Sequence, residues 1–379
     1  MADKRLEHPV RHIEQLTWLR GAAAFLVIIC HVRRATETAY NPSDFNLGYF
    51  GVALFFALSG CTLFISNADK ITNVQNLLGF YVRRFFRIWP AYIVSLAFYI
   101  IFIPVFKMFY GPPQGFWIER QFWVNYSIQD LLKYITLIFN FTGPINLFNG
   151  AYWSLPIEFQ YYLIFPLLVL SLKYMGTLGP MLISALIYAI PFIIYPAYPA
   201  EMRVEFFTMA FIFSGGVLLG YMTTKNFRQI SRASGIGLLI FCLVTVTLIQ
   251  MGYITSPALP WQYPDQWGWY GIFAILTVFT VLIAKIHFHA RIESFLKAYG
   301  EMSYSTYLYH NLFIGSAVLI EKETGIYNSD IKVPFVFFFA IACTYIAAKI
   351  SYLYIEAPSN KFGHTITLKR HSNNTQQNR

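Results

Sequence analysis

Ten stretches of mostly apolar residues run through this 379-residue chain, each about as long as a lipid bilayer's hydrocarbon core demands. A spanning helix needs roughly 20 such residues. The stretches fall at 16–33, 48–66, 88–109, 150–172, 177–196, 206–223, 235–253, 269–288, 302–321 and 333–355. They predict an all-α integral membrane protein, a bundle of about ten transmembrane helices. Composition agrees: charged residues make up 12% of the chain, about half the share found in soluble globular domains. A soluble enzyme, a disordered protein and a secreted disulfide scaffold are thereby excluded. Cys30, Cys61, Cys242 and Cys343 each sit inside an apolar run without metal-ligand spacing. They read as small buried hydrophobes.

Charge sorts along the chain. Lys and Arg number 28 against 18 Asp and Glu, a formal net charge of +10. With the N-terminus placed in the cytoplasm, the cytoplasmic connections carry more than twice as many Lys and Arg as those on the other side. That bias predicts both termini in the cytoplasm, because cations are retained inside during insertion. The excess charge therefore reports topology, and no nucleic-acid partner is needed. We expect an N-terminal cytoplasmic segment over 1–15, a transmembrane domain over 16–356 and a polar, basic cytoplasmic tail over 357–379. No cleavable signal peptide is evident. The longest outer segments, 110–149 and 254–268, hold Trp117, Trp123 and Tyr126 and then Trp261, Tyr263, Trp267 and Trp269. An interfacial aromatic belt and a sugar-stacking surface both account for them.

Ionisable groups inside a span are costly, about 2.5–3.5 kcal/mol each on insertion scales, so each is a functional candidate. The first run holds Arg20 and His31. Eleven helical residues return to within about 20° of the starting direction and rise roughly 16 Å. One face thus offers a cation toward the cytoplasm and an imidazole toward the outside. The fourth run opens Tyr152-Trp153-Ser154-Leu155-Pro156-Ile157-Glu158, and places Glu158 at a depth similar to His31. A carboxylate there would orient and charge-stabilise a histidine acting as base; satisfaction by neighbouring Tyr or Trp donors is the alternative. The ninth run, Ser303-Tyr304-Ser305-Thr306-Tyr307-Leu308-Tyr309-His310, brings a second histidine among hydroxyls. So polar a run faces the bundle interior, and His310 is either chemical or structural.

At the foot of the third run stands Tyr81-Val82-Arg83-Arg84-Phe85-Phe86-Arg87-Ile88-Trp89-Pro90. Arg83 and Arg87 lie four apart, and so share a face able to clamp phosphates; snorkelling anchors are the plainer reading. Phosphate-binding loops, zinc-hydrolase motifs and the serine-esterase elbow are absent from the sequence, and no metal site is expected. These residues describe a basic cytoplasmic mouth leading to a buried histidine near the outer leaflet. Transfer of a group from an anionic donor to an outer acceptor fits this layout; so does transport.

The motifs and their order resemble the acyltransferase-3 family of integral-membrane O-acyltransferases. Leu19-Arg20-Gly21-Ala22-Ala23-Ala24 followed by His31 is similar to the family's R-G-x-A-A opening and R-x10-H pair. Gly51-Val52-Ala53-Leu54-Phe55-Phe56-Ala57-Leu58-Ser59-Gly60 resembles its second-span motif, and Arg83 to Tyr92 its R-R-x-x-R-I-x-P-x-Y element. Trp153-Ser154-Leu155 with Glu158 and Tyr162 resembles W-S-L-x-x-E. Ser303 to His310 resembles S-Y-x-x-Y-L-x-H, and Glu356-Ala357-Pro358 the closing E-x-P. Two positions depart from the pattern: Ala53 stands where many members carry Asp, and Cys61 where Phe is usual.

The resemblance implies a stand-alone form without an SGNH hydrolase-like domain, multi-pass in the bacterial inner membrane. It implies transfer of an acyl group, most often acetyl, from cytoplasmic acyl-CoA to a hydroxyl of an extracytoplasmic glycan or glycolipid. Lipopolysaccharide O-antigen and exopolysaccharide are the expected acceptors, and a glycolipid transporter or flippase is the alternative. Acetyl-CoA is then a co-substrate, with no bound cofactor. Arg20, Arg83, Arg84 and Arg87 are expected to bind it; His31 is the expected general base, with Glu158 behind it. Ser59, Trp153, Ser154, Tyr304 and His310 are the expected supporting residues. Oligomeric state is left open.

Overall fold

A computed structural model describes residues 13–36, 47–71, 73–110, 121–145, 147–194, 205–225, 229–254, 266–284, 286–325 and 331–377. Among them the chain is helical, without strands. Each apolar run falls on a helix: α1 (Glu14–Thr36), α2 (Gly48–Asn67) and α3 (Val74–Tyr110), then, after the short α4 (Ile128–Ile135) and α5 (Phe139–Thr142), α6 (Ser154–Met175). There follow α7 (Leu178–Ile194), α8 (Glu205–Met222), α9 (Arg232–Gln250) and α10 (Gln266–Ala284). After α11 (Ala290–Glu301) come α12 (Ser303–Thr324), α13 (Lys332–Ser351) and α14 (Ala357–Gln377).

Among the described residues, six segments are long and apolar enough to cross a membrane: Glu14–Thr36, Gly48–Lys70, Val74–Phe109, Ser154–Met175, Arg232–Gln250 and Lys332–Thr367. The apolar parts of α7, α8 and α10 are shorter, and α12 begins with the hydroxyl-rich stretch from Ser303. The periphery has the chemistry of a lipid-facing surface. On α9 Ile240, Phe241, Leu243 and Val244 are exposed, as are Phe338, Ile346 and Ile350 on α13. Inside, Ala23, Ala53, Ala57, Leu58, Cys61 and Leu308 are fully buried. Cys30 and Cys242 are also buried, whereas Cys343 is only half-buried; all four cysteines are free thiols. Of the outer aromatics, Trp117, Trp261 and Tyr263 lie outside the described residues, and Trp123 and Tyr126 are exposed.

Three features escape a search for 20-residue apolar runs. The third helix starts fourteen residues before its apolar run, so Arg83, Arg84 and Arg87 lie on one continuous helix about 55 Å long. Helix α11 is a twelve-residue amphipathic element, too short and mixed to register as a span. It crosses α1 at near backbone contact: a Cβ on Gly21 would stand 2.0 Å from the Leu296 carbonyl oxygen, and one on Gly300 1.9 Å from that of Thr17. Lys297 pairs with Glu14 at 2.6 Å across the same crossing. Finally, the segment read as a tail begins as α14, joined to α13 through a π-turn at Tyr352–Glu356 and packed on α3. Pro358 cannot donate a backbone hydrogen bond, which accounts for the register change just before it.

Small residues set the other close crossing, as is usual where lipid supplies no hydrophobic drive between helices. A Cβ at Gly60 of α2 would meet the Phe213 carbonyl oxygen at 2.2 Å, and one at Gly216 of α8 the Ala57 carbonyl oxygen at 2.1 Å. Both obstacles are backbone, so neither can step aside. Gly60→Leu and Gly216→Leu are expected to cost more than the ~1–3 kcal/mol of ordinary overpacking. Size-exclusion chromatography of detergent extracts should show loss of the monodisperse peak. Gly237→Leu, with nothing within 4 Å of the added carbon, should leave the peak unchanged.

Candidate active site

Where α1, α2, α3, α6, α12 and α14 converge they enclose a cavity of about 430 Å³. Its walls carry three guanidinium groups, from Arg20, Arg84 and Arg87, against one carboxylate, Glu158. Such an excess of cations inside a helix bundle has to be held by protein groups or by an anionic ligand. Arg20 donates from Nη2 to Thr62 Oγ1 at 2.9 Å, and that hydroxyl donates onward to the Leu58 carbonyl at 2.7 Å. Arg84 lies over the Tyr162 ring, 5.8 Å from its centroid, while its Nε is buried without a hydrogen-bond partner. Arg87 pairs with Glu356 at 2.6 Å. The π-turn aims Glu356 at this spot, where its other oxygen accepts from Ser305 Oγ at 2.6 Å. Asn360, at the start of α14, adds a buried side-chain oxygen without a partner.

The cavity has two chemically different ends. Arg20, Arg84, Arg87 and Asn360 mark one, and Phe55, Ser154 and Tyr307 the other. Between them Glu158 accepts from Ser59 Oγ at 2.8 Å and from Tyr162 Oη at 2.5 Å. Glu158 and Tyr162 stand four apart on α6 and so share its face. At the far end Tyr307 donates to the Ala151 carbonyl at 2.7 Å, and the Ser154 hydroxyl lies 2.7 Å from the same phenol oxygen. Tyr307 spends its only proton on a carbonyl, so Ser154 is the donor of that second bond.

Just past Tyr307, one turn along α12, lies His310, with ring centroids 5.7 Å apart. Its Nε2 is 2.7 Å from Nδ1 of His31, three turns beyond Arg20 on α1. The two ring planes are inclined by 21° with centroids 4.9 Å apart, so the rings meet edge to edge through these nitrogens. His310 is fully buried and His31 9% exposed. The pair thus sits behind the uncharged end of the cavity, opposite the arginines.

The structure gathers most of the residues singled out from sequence and rearranges their partners. Arg20, Arg84, Arg87, Ser59, Ser154, Glu158 and Tyr304 line the cavity. Arg83 is not among the lining residues: its Nη1 lies beside Gly79, next to Thr367 of α14. The arginine pair on the cavity wall is therefore Arg84 with Arg87, rather than Arg83 with Arg87. His31 is partnered by His310, while Glu158 is engaged by Ser59 and Tyr162. Tyr304 donates to the Ile88 carbonyl at 2.9 Å, and Trp153 is buried at the entry to α6. The hydroxyl protons of Ser59, Ser154 and Tyr304 are thus all committed to protein acceptors. Sequence reasoning passed over Thr62 and Asn360 and gave Glu356 no partner. Thr62, three residues past Ser59, was the available signal, since both hydroxyls fall near one face of α2.

Removing one member of a buried ion pair strands the other charge, at a cost of about 3–5 kcal/mol, whereas replacing both with apolar residues is close to neutral. Glu356→Leu is therefore expected to lower the melting temperature of the solubilised protein markedly. The double variant Arg87→Met with Glu356→Leu should recover most of the loss in the same thermal-unfolding measurement.

Residues 13–352 match the acyltransferase-3 family, described as an acyltransferase domain. Among curated proteins the chain is similar to the peptidoglycan O-acetyltransferase OatA of Listeria monocytogenes, with 26% identity covering 93% of this chain and 56% of that protein. It is equally similar to the O-acetyltransferase OatA of Staphylococcus aureus strain NCTC 8325, with 26% identity covering 95% of this chain and 59% of that protein. The chain thus spans less than three-fifths of the length of these relatives. No solved structure is similar to it. The ordered motifs, the cationic cavity and the match over residues 13–352 place the chain in the acyltransferase-3 family of membrane-embedded acyltransferases.

Proposed function

We propose that the chain is an O-acyltransferase of the bacterial inner membrane. It takes an acyl group, acetyl first among candidates, from cytoplasmic acyl-CoA and delivers it to a hydroxyl of an extracytoplasmic glycan. In this reading the chain crosses the bilayer ten times with both termini in the cytoplasm. The carrying observation is the polarity of the cavity. Three arginines stand at one end and the His31–His310 pair lies behind the other. Phosphates and a thioester occupy opposite ends of acyl-CoA in the same way. Planar guanidinium forks suit phosphate oxygens, and the unpartnered Nε of Arg84 offers a donor ready for one. Glu158 holds Tyr162, and through it the ring on which Arg84 rests.

At the far end a neutral His31 takes the proton of the acceptor hydroxyl as its oxygen attacks the thioester carbonyl carbon. The carbon–sulfur bond breaks, and the departing thiolate takes the proton back from the imidazolium. No proton is gained or lost overall. Burial keeps water from competing for the thioester. Lipopolysaccharide O-antigen and exopolysaccharide are the acceptors read from the resemblance, and peptidoglycan joins them because one relative is named for it.

The test is acetyl-CoA consumption and acetyl transfer by the purified protein in nanodiscs, together with mass spectrometry of surface glycans from a deletion strain. Loss of an acetyl mass from the glycan and thioester turnover in vitro are expected. A glycolipid transporter would leave the thioester intact, and that result would overturn the reading. His31→Ala should lower kcat by roughly 10²–10⁴-fold, the usual contribution of a general base. Arg84→Ala should raise the KM for acetyl-CoA by roughly 10–100-fold, the worth of a charge-assisted hydrogen bond. Arg83→Ala, off the cavity wall, should change it by less than about twofold, within the range of exposed charges.

A further inference from the structure

We propose that His310 is a positioning residue that decides which nitrogen of His31 carries the proton, leaving Nε2 of His31 as the basic atom. This rests on the reading of His31 as the general base and adds what that reading leaves open. Donor and acceptor chemistry alone fixes the protons of the pair. Nδ1 of His310 lies 2.8 Å from the carbonyl oxygen of Tyr307 and 3.3 Å from that of Thr306. Carbonyl oxygens accept and never donate, so Nδ1 of His310 carries a hydrogen.

In the neutral ring the other nitrogen is then bare. That nitrogen, Nε2, is the one 2.7 Å from Nδ1 of His31, a separation that requires a hydrogen between them. The hydrogen belongs to His31, whose Nδ1–H donates to His310. His31 therefore keeps its in-plane lone pair on Nε2. The backbone of α12 sets the tautomer of His310, and His310 sets that of His31.

The arrangement plays the part a carboxylate plays behind many catalytic histidines, but without a charge. When His31 takes up a proton at Nε2, its Nδ1–H stays hydrogen-bonded to His310, so the imidazolium is held in place and stabilised as it forms. A neutral partner suits this depth, where an additional buried carboxylate would carry its own desolvation cost. It also explains why Glu158 can be engaged with Ser59 and Tyr162 without leaving His31 unoriented.

The experiment compares His310→Leu, which abolishes the acceptor, with His310→Gln, whose side-chain carbonyl can restore it. Both are measured for acetyl transfer and acetyl-CoA KM in nanodiscs. A wrong or unfixed tautomer costs a histidine base roughly 10²-fold or more. We therefore expect His310→Leu to lose that much kcat with an unchanged KM, and His310→Gln to regain most of it. Nitrogen-15 NMR of histidine-labelled protein reads the tautomer directly, with the His31 signals identified by their loss in His31→Ala. A protonated Nδ1 and a bare Nε2 are expected.

Full kcat in His310→Leu, no recovery in His310→Gln, or a protonated Nε2 on His31 would each overturn the proposal. So would a rise in KM or a loss of CoA binding in His310→Leu, because that marks a structural role. Full activity in His31→Ala would instead overturn the base assignment itself, and so separates failure of the two ideas.

Discussion

Charge buried in a helix bundle has to be answered by protein, and the site is organised around the answers given to Arg20, Arg84 and Arg87. Arg20 is met by a threonine hydroxyl, Arg84 by the face of a tyrosine, and Arg87 by Glu356. Each answer recruits a different helix. Thr62 comes from α2, Tyr162 from α6, and Glu356 from the π-turn between α13 and α14. The cations thereby tie the walls of the cavity together. Their partners leave donor capacity over, most plainly at Nε of Arg84. The same desolvation that makes an arginine costly here makes it a strong site for an anion.

Close backbone crossings let these answers reach. Glycine contacts bring α2 onto α8 and α1 onto α11 at separations that admit no side chain. In a lipid solvent such contacts supply packing that hydrophobicity alone does not. They fix the inclination of α1, and with it the line from Arg20 to His31. The long α3 does the equivalent for Arg84 and Arg87, since a continuous helix cannot slide its arginines independently. Function thus rests on helix placement at the level of a single carbonyl contact.

The division of labour within the cavity follows from polarity. One end gathers cations, the middle gathers hydroxyls around Glu158, and the far end is lined by Phe55 and the hydrogen-bonded Ser154 and Tyr307. Next to that end His310 gives one nitrogen to the His31 ring and the other to the α12 backbone. Tyr307 therefore serves both places: its hydroxyl lines the cavity and its carbonyl orients His310.

The amino-acid sequence by itself determined that the chain is a helical membrane protein, because apolar runs of bilayer length and scarce charge have few other solutions. It also determined the stripe joining Arg20 and His31, because helical periodicity is a local property. Partners were a different matter. Sequence position assigns Glu158 and His31 similar depths, yet Glu158 stands mid-cavity with Ser59 and Tyr162, and His31 meets His310, 279 residues away. Arg83 and Arg84 are neighbours in the same motif, yet only Arg84 lines the cavity, since α14 packs beside the other. Glu356 found Arg87 only through a π-turn that shifts the helical register. Depth, face and composition are written along one helix, but which side chain meets which depends on how several helices rotate against each other. Only the tertiary structure carries that rotation, because it is set by backbone contacts far apart in sequence.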